Sequence, residues 1–247
     1  MDSTQIKVPI SIILPCYNPL SNWTDTILDS IEEIKNRLPY LEIELIVVND
    51  GSTKNISELQ VQKLKENIPE FQYITYPSNK GKGYALRQGI KVANKELCIY
   101  TDIDFPYMAN SFVGMFEQLQ TSSLDLVVGV RDAKYYEHVP LVRKWISKLL
   151  RFFIRLFLRM EISDTQCGIK GFSKKGREIF LKTEINRYLF DMEFVFLASH
   201  APGIRVTPFE VTLKPDIVFS KVNLKILFTE GLSFIKLIFR SIFRENK

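Results

Sequence analysis

The sequence predicts an α/β protein with a Rossmann-like, mostly parallel sheet flanked by helices, and three observations carry that expectation. Strand-like apolar runs alternate with helical patterns from residue 10 to residue 130, the order that parallel strands joined by crossover helices produce. Runs such as Ile43-Glu44-Leu45-Ile46-Val47-Val48 are nearly continuous in apolar residues, as strands covered on both faces are. Three runs then end in polar or acidic residues: Pro15-Cys16-Tyr17-Asn18, Asn49-Asp50-Gly51-Ser52 and Asp102-Ile103-Asp104. In an open α/β sheet the ligand crevice lies at the carboxyl ends of the strands, so these three ends are expected to face one crevice.

Along the chain, strands are expected at 10–14, 43–48, 71–76, 97–101 and 125–130, with helices near 23–37, 57–67, 83–93 and 110–120. The helix near 83–93 follows Asn79-Lys80-Gly81-Lys82-Gly83, whose glycines allow close backbone approach and whose lysines sit near a helix N-terminus; this is a candidate anion site. The loop matches neither the Walker nor the dinucleotide glycine pattern. After Arg131 the pattern changes. Residues 141–160 read as one long helix that gathers Trp145, Leu149, Phe152, Phe153, Leu156, Phe157 and Met160 on one side. Its other side carries Arg143, Lys144, Lys148, Arg151, Arg155 and Arg159, with Ile154 and Leu158 as exceptions to the division. Residues 163–172 read as a turn leading into a strand. Phe190-Asp191-Met192-Glu193 opens an apolar helix, where first-turn acids also serve as ordinary caps. A second amphipathic stretch occupies 224–243. Neither amphipathic stretch has the roughly 20 consecutive apolar residues needed to cross a bilayer, so both are expected to lie on a membrane without spanning it.

With 247 residues, 46% of them hydrophobic, the chain can bury a sizeable core, which excludes a disordered protein. Cys16, Cys98 and Cys167 are scattered and have no paired metal spacing, so they read as small core residues of a reducing compartment. With only His138 and His200 beside them, a structural zinc site is not expected. The first eight residues lack the apolar stretch of a secretory signal. The net charge of +5 is uneven, since 141–160 holds six Lys or Arg and no acid. Such a face suits nucleic acid, anionic lipid or an acidic substrate.

Taken together and in this order, the segments at 15–18, 48–52, 79–83 and 102–104 resemble the nucleotide-sugar half of the family-2 glycosyltransferases. Asp164-Thr165-Gln166-Cys167-Gly168-Ile169-Lys170-Gly171-Phe172 is similar to the polyprenyl-phosphate branch of that family, the dolichyl-phosphate mannose and glucose synthases. The resemblance covers nearly the whole chain and implies the A-type glycosyltransferase fold. It implies a catalytic domain over 1–220, with the nucleotide-sugar half at 1–130 and the acceptor half at 131–220, followed by an interfacial helix at 221–247. It also implies that Pro15, Tyr17, Asp50, Lys82, Asp102 and Asp104 bind the donor, with Asp102 and Asp104 holding Mg2+ or Mn2+. Arg131, Arg143, Ser147 and Gln166 would bind the acceptor. Asp104, Asp164 and Asp191 are the candidate catalytic acids. Two departures stand out: Pro19 occupies a position where the family usually has Glu, and Pro106 one where some synthases have Gln.

The expected reaction is inverting, metal-dependent transfer of a hexose from a UDP- or GDP-linked sugar to a polyprenyl phosphate. A phosphate monoester is already largely dianionic at neutral pH, its second pKa being near ~6, so such an acceptor needs positioning and no general base. The expected partners are the donor, the lipid phosphate, an anionic membrane surface and a separate integral membrane protein, with no nucleic acid. The expected location is cytoplasmic, peripheral on the inner face of the membrane. The alternative is a glycosyltransferase acting on a sugar hydroxyl of a cell-surface polysaccharide, with Asp191 or Glu193 as base. A sugar nucleotidyltransferase also uses paired acids at such an edge, but the glycine-rich N-terminal triphosphate loop it needs is absent. A non-enzymatic basic protein would leave the acids at three strand ends unexplained.

Overall fold

The computed structural model describes residues 7–131, 141–158, 160–162 and 164–215, together with Phe234 and Ile238. The first half forms β1 (Val8–Cys16), α1 (Trp23–Arg37), β2 (Leu41–Asn49), α2 (Glu58–Asn67), β3 (Glu70–Thr75), α3 (Lys82–Val92), β4 (Leu97–Tyr100), α4 (Ala109–Thr121) and β5 (Leu126–Arg131). The second half forms α5 (Leu141–Leu158), β6 (Lys170–Phe172), α6 (Lys174–Phe180), α7 (Phe190–Ser199) and β7 (Val206–Val211). Every crossover expected before residue 131 is present. The start of α2 shows why: Ser57 accepts from the Gln60 backbone N–H while the Gln60 side chain accepts from the Ser57 N–H, a reciprocal cap.

The strands form one seven-stranded sheet in the order β3-β2-β1-β4-β6-β5-β7. β1, β2, β3 and β4 pair in parallel, as do β5 and β7. Only β6 runs against its neighbours. The segment feeding it packs at the carboxyl edge, where Gly168 touches the Asp102 carboxylate, so the chain can only re-enter the sheet in reverse. The chain winds outward from β1 to β3 and then returns to place β4 on the other side of β1. That reversal makes the carboxyl ends of β1 and β4 the topological switch point.

Period-2 alternation splits the core into two layers. Ile12, Leu14, Leu45 and Val47 face α1 and α4, whereas Ile13, Ile46 and Val48 face α3 and α7. The three cysteines are free and buried, as expected of core thiols, and burial pushes the Cys16 thiol up to about 12.

Two elements correct the sequence expectation. α6 and β7 were not anticipated, because α6 is two turns long and β7 contains Pro208 and Glu210 within its apolar pattern. β7 lies at the sheet edge, where a strand tolerates proline. On α5 the docking residues include Ile154 and Leu158, the two exceptions to the expected division of faces. Among the described side chains of this segment, Ile154, Leu158 and the following Met160 are buried in the core, whereas Trp145 is 70% exposed and Leu149, Phe152, Leu156 and Phe157 are exposed with it. The amphipathic stretch at 224–243 lies outside the described residues except for Phe234 and Ile238, which pack against the α3–α7 layer.

Candidate active site

At the switch point a cavity of about 530 Å3 opens between the ends of β1 and β4. Pro15, Tyr17, Asp50, Lys82 and Asp102 all line it, so five of the six expected donor residues converge. Asparagines set the rim. The Asn18 side-chain carbonyl accepts from the Thr53 and Lys54 backbone N–H groups at 2.8 and 3.1 Å, and that of Asn49 accepts from Ser52 at 2.9 Å. Pro19 serves this rim through its carbonyl, which accepts from the Asn55 side chain at 2.7 Å. The Pro106 carbonyl likewise accepts from the Lys214 backbone N–H at 2.8 Å.

Asp50 is buried, and its carboxylate is fully subscribed. Oδ1 accepts from the Tyr76 hydroxyl at 2.8 Å and the Lys80 backbone N–H at 2.7 Å; Oδ2 accepts from the Asn79 side chain at 2.8 Å and the Gly81 N–H at 2.9 Å. A carboxylate has about four lone-pair positions, and all are in use. Asp50, a cavity-lining residue expected to bind the donor, is thus also the residue on which the 79–81 loop is built.

Beside this loop Lys82 donates to Asp102 Oδ1 at 2.5 Å. Burial works against the Lys82 charge, but Asp102, Asp191 and Asp104 outweigh it and hold the ammonium above its ordinary pKa. Asp104 is exposed next to Asp102, and its carboxyl sits above the usual range because of partial desolvation and the neighbouring acid, with Lys82 pulling the other way. Asp102 lines the cavity and Asp104, two residues on, does not; hard carboxylates so spaced fit Mg2+ or Mn2+, which binds through one or two protein carboxylates and completes its shell with phosphate oxygens and water. Among the described residues no larger cluster of acids, histidines and cysteines competes with this pair.

The far wall is the loop 183–189, which sequence reasoning missed. Buried Arg87 of α3 donates to Thr183 Oγ1 at 3.1 Å, to the Ile185 carbonyl at 2.9 Å and to Asn186 Oδ1. Buried Glu193 of α7 accepts from the Glu184 and Ile185 backbone N–H groups at 2.8 and 2.7 Å. The Asn186 carbonyl in turn accepts from the Gly83 and Tyr84 N–H groups at 2.8 and 3.3 Å. That corrects the expected anion site: the N-terminus of α3 is capped by protein. It also explains the glycines. A Cβ on Gly81, whose φ is +104°, would strike the Asn186 carbonyl, and one on Gly83 would lie 2.5 Å from that of Ile185. The loop thereby carries Arg187 and Tyr188 into the cavity lining. The signal for it was the pair of glycines, whose partner lies about a hundred residues away.

The acceptor half departs further from expectation. Arg131 embraces Asp164: its backbone N–H and Nε donate to Oδ2 at 2.8 and 3.0 Å, and Nη2 donates to Oδ1. Burial works against the Asp164 charge, but Arg131 holds the carboxyl below its usual range. Asp164 lines a separate cavity of about 600 Å3 with Val130, Met160 and His200, not the donor cavity. Gln166 Nε2 is buried without a hydrogen-bond partner among the described residues. Arg143 and Ser147 lie on α5, one turn apart, and their side chains are outside those described. Asp191 is buried at the start of α7, and its Oδ1 accepts from Lys170 Nζ and from the Tyr100 hydroxyl, each at 2.5 Å.

The architecture is shared with solved sugar-transferring enzymes and defines the A-type glycosyltransferase fold. Mannosyl-3-phosphoglycerate synthase from Rubrobacter xylanophilus superposes with a TM-score of 0.66 at 14% identity, covering 97% of this chain and 75% of that one. Glucosyl-3-phosphoglycerate synthase from Mycobacterium tuberculosis, solved with Mn2+, UDP and phosphoglyceric acid, gives 0.64 at 15% identity over 89% and 73% of the two chains. Residues 11–180 match Glycosyl transferase family 2, and the chain belongs to that family. Among curated relatives it is 27% identical to Glycosyltransferase AglD of Haloferax volcanii over 86% of this chain and 34% of that protein. It is 25% identical to the dolichyl-phosphate beta-glucosyltransferase of Dictyostelium discoideum and 29% to that of Homo sapiens, over 78% and 77% of this chain. The chain spans 63% of the length of each of these two relatives.

Proposed function

We propose that this protein transfers a hexose from a UDP- or GDP-linked donor to a polyprenyl phosphate at a membrane surface, with inversion at the anomeric carbon. The observation that carries the reading is the state of the two acids a hydroxyl acceptor would need as a base. Asp191 is bonded to a buried lysine and a tyrosine, and Glu193 holds the 184–185 backbone. Taking up a proton would cancel the Asp191 charge that pairs the buried Lys170 ammonium and weaken the hold of Glu193 on the 184–185 backbone. An acceptor that is already an oxyanion needs no such step, and the dolichyl-phosphate relatives point to the same acceptor class.

In this reading Tyr17 and the 49–53 rim cradle the nucleoside, while the Asp50-built loop sets Lys82 beside the diphosphate. Bound at Asp102 and Asp104, Mg2+ or Mn2+ would supply the Lewis acidity that neutralises charge on the leaving group. Arg131, Arg143, Ser147 and Gln166 would position the lipid phosphate, with Asp164 fixing the orientation of Arg131. The exposed stripe of Trp145, Leu149, Phe152 and Leu156 supports a peripheral membrane contact of α5, and no described helix is long and apolar enough to cross a membrane. A separate integral membrane protein and an inner-face location belong to the same proposal.

The test is transfer from UDP- and GDP-sugars, with Mn2+, to a short polyprenyl phosphate or to a saccharide acceptor. The wild type and the charge-neutral pair Lys170→Met with Asp191→Asn are compared. Transfer to the lipid phosphate should survive in the double variant. Transfer only to the saccharide, lost in a double variant that remains folded, would replace this reading with the hydroxyl acceptor.

A further inference from the structure

We propose that Arg187 is a leaving-group residue of the donor cavity, binding the diphosphate oxygens of the nucleotide; the inference rests on the donor reading above. Arg187 lines the cavity with Lys82 and Asp102, and its guanidinium is exposed and has no ion-pair partner among the described residues. The neighbouring cations are committed elsewhere. Lys82 is bonded to Asp102, and Arg87 is spent on Thr183, Ile185 and Asn186. Because the Asn186 carbonyl takes the Gly83 and Tyr84 N–H groups, the start of α3 offers a phosphate fewer donors than an open helix terminus does. With the metal site and Lys82 at the β4 side of the cavity, the diphosphate oxygens on the opposite side are left to a side chain of the 183–189 loop. A guanidinium is suited to that task, since its planar fork binds phosphate in bidentate fashion.

The loop's construction points the same way. Two buried charged side chains, Arg87 and Glu193, and two glycines are used to fix a short connection between α6 and α7. Burying charges is costly unless every one is paired, so a loop built this way is held in one place. What that place presents to the cavity is Arg187 and Tyr188.

The test is calorimetric titration with Mn2+ present, using UDP, UMP and uridine, or the guanine series if the wild type binds that. Wild type, Arg187→Met and Arg187→Lys are compared, with melting curves as a fold control. Arg187→Met should weaken diphosphate binding by about ten- to a hundredfold and nucleoside binding not at all, with Arg187→Lys in between. Arg87→Met, which frees the loop but keeps Arg187, should reproduce the loss. Unchanged diphosphate affinity in Arg187→Met overturns the assignment, as does an equal loss for the bare nucleoside. A wild type that binds neither diphosphate overturns the donor reading itself.

Discussion

Asp50 shows what a single residue announces in the sequence and what it conceals. An acid at the tip of a buried strand was legible from the run Ile43 to Val48, and it does line the switch-point cavity. Its four hydrogen-bond donors come from residues 76–81, close in space but reached only after β3 is complete, so nothing local betrays that the carboxylate is full. The consequence is testable. Asp50→Asn turns one acceptor into a donor that faces either the Tyr76 hydroxyl and the Lys80 N–H or the Asn79 side chain and the Gly81 N–H, and each bond left unmade costs about 1–3 kcal/mol. Melting temperature and nucleotide affinity should fall together in Asp50→Asn. Tyr17→Ala, at an exposed side chain, should lower affinity and leave melting unchanged. Loss of affinity at Asp50 with wild-type melting would mean that its carboxylate touches the donor directly.

At the scale of elements, amphipathic period found α5 and its two sides but not the residues that dock it on the protein. The sequence divides the helix into an aromatic side and a basic side, and contact with a membrane surface was the use expected for the aromatics. Ile154 and Leu158, one turn apart and exceptions to that division, are buried in the α3–α7 layer. Periodicity measures how residues segregate around an axis and is silent about which segregated face meets protein. The exposed stripe predicts vesicle binding. Near an anionic leaflet each Lys or Arg adds on the order of 1 kcal/mol, and Trp and Leu add buried area. Trp145→Glu together with Leu149→Glu should abolish co-sedimentation with phosphatidylserine vesicles at unchanged melting temperature, whereas Ile154→Glu should unfold the helix from its layer. Vesicle binding retained by the first pair would remove α5 from the membrane contact.

For the whole molecule, β2 carries a saturated carboxylate at each end, and the two do different work. Glu44, buried near the amino end, accepts from Ser11 at 2.5 Å, from Gln72 at 2.7 Å and from the backbone and side chain of Asn94 at 2.9 and 2.7 Å. These bonds join β1, β2, β3 and the turn after α3 on the side of the sheet away from the crevice. Desolvation raises the Glu44 carboxyl, but the Ser11, Asn94 and Gln72 bonds outweigh it and leave the folded-state pKa below the ordinary value. A carboxyl depressed on folding contributes stability that is fully present above its unfolded pKa and is lost as pH falls through the folded one. Asp164, depressed by Arg131, acts in the same sense. Urea midpoints of the wild type should therefore decline as pH drops below about 4.3, the ordinary Glu value. Glu44→Gln should be less stable at pH 7 by about 1–3 kcal/mol and show a shallower acid decline, with nucleotide affinity at pH 7 unchanged because the staple lies opposite the cavity. An acid decline as steep as the wild type's in Glu44→Gln would mean that other carboxylates carry the acid sensitivity, and a loss of nucleotide affinity would show that the two ends of β2 are coupled.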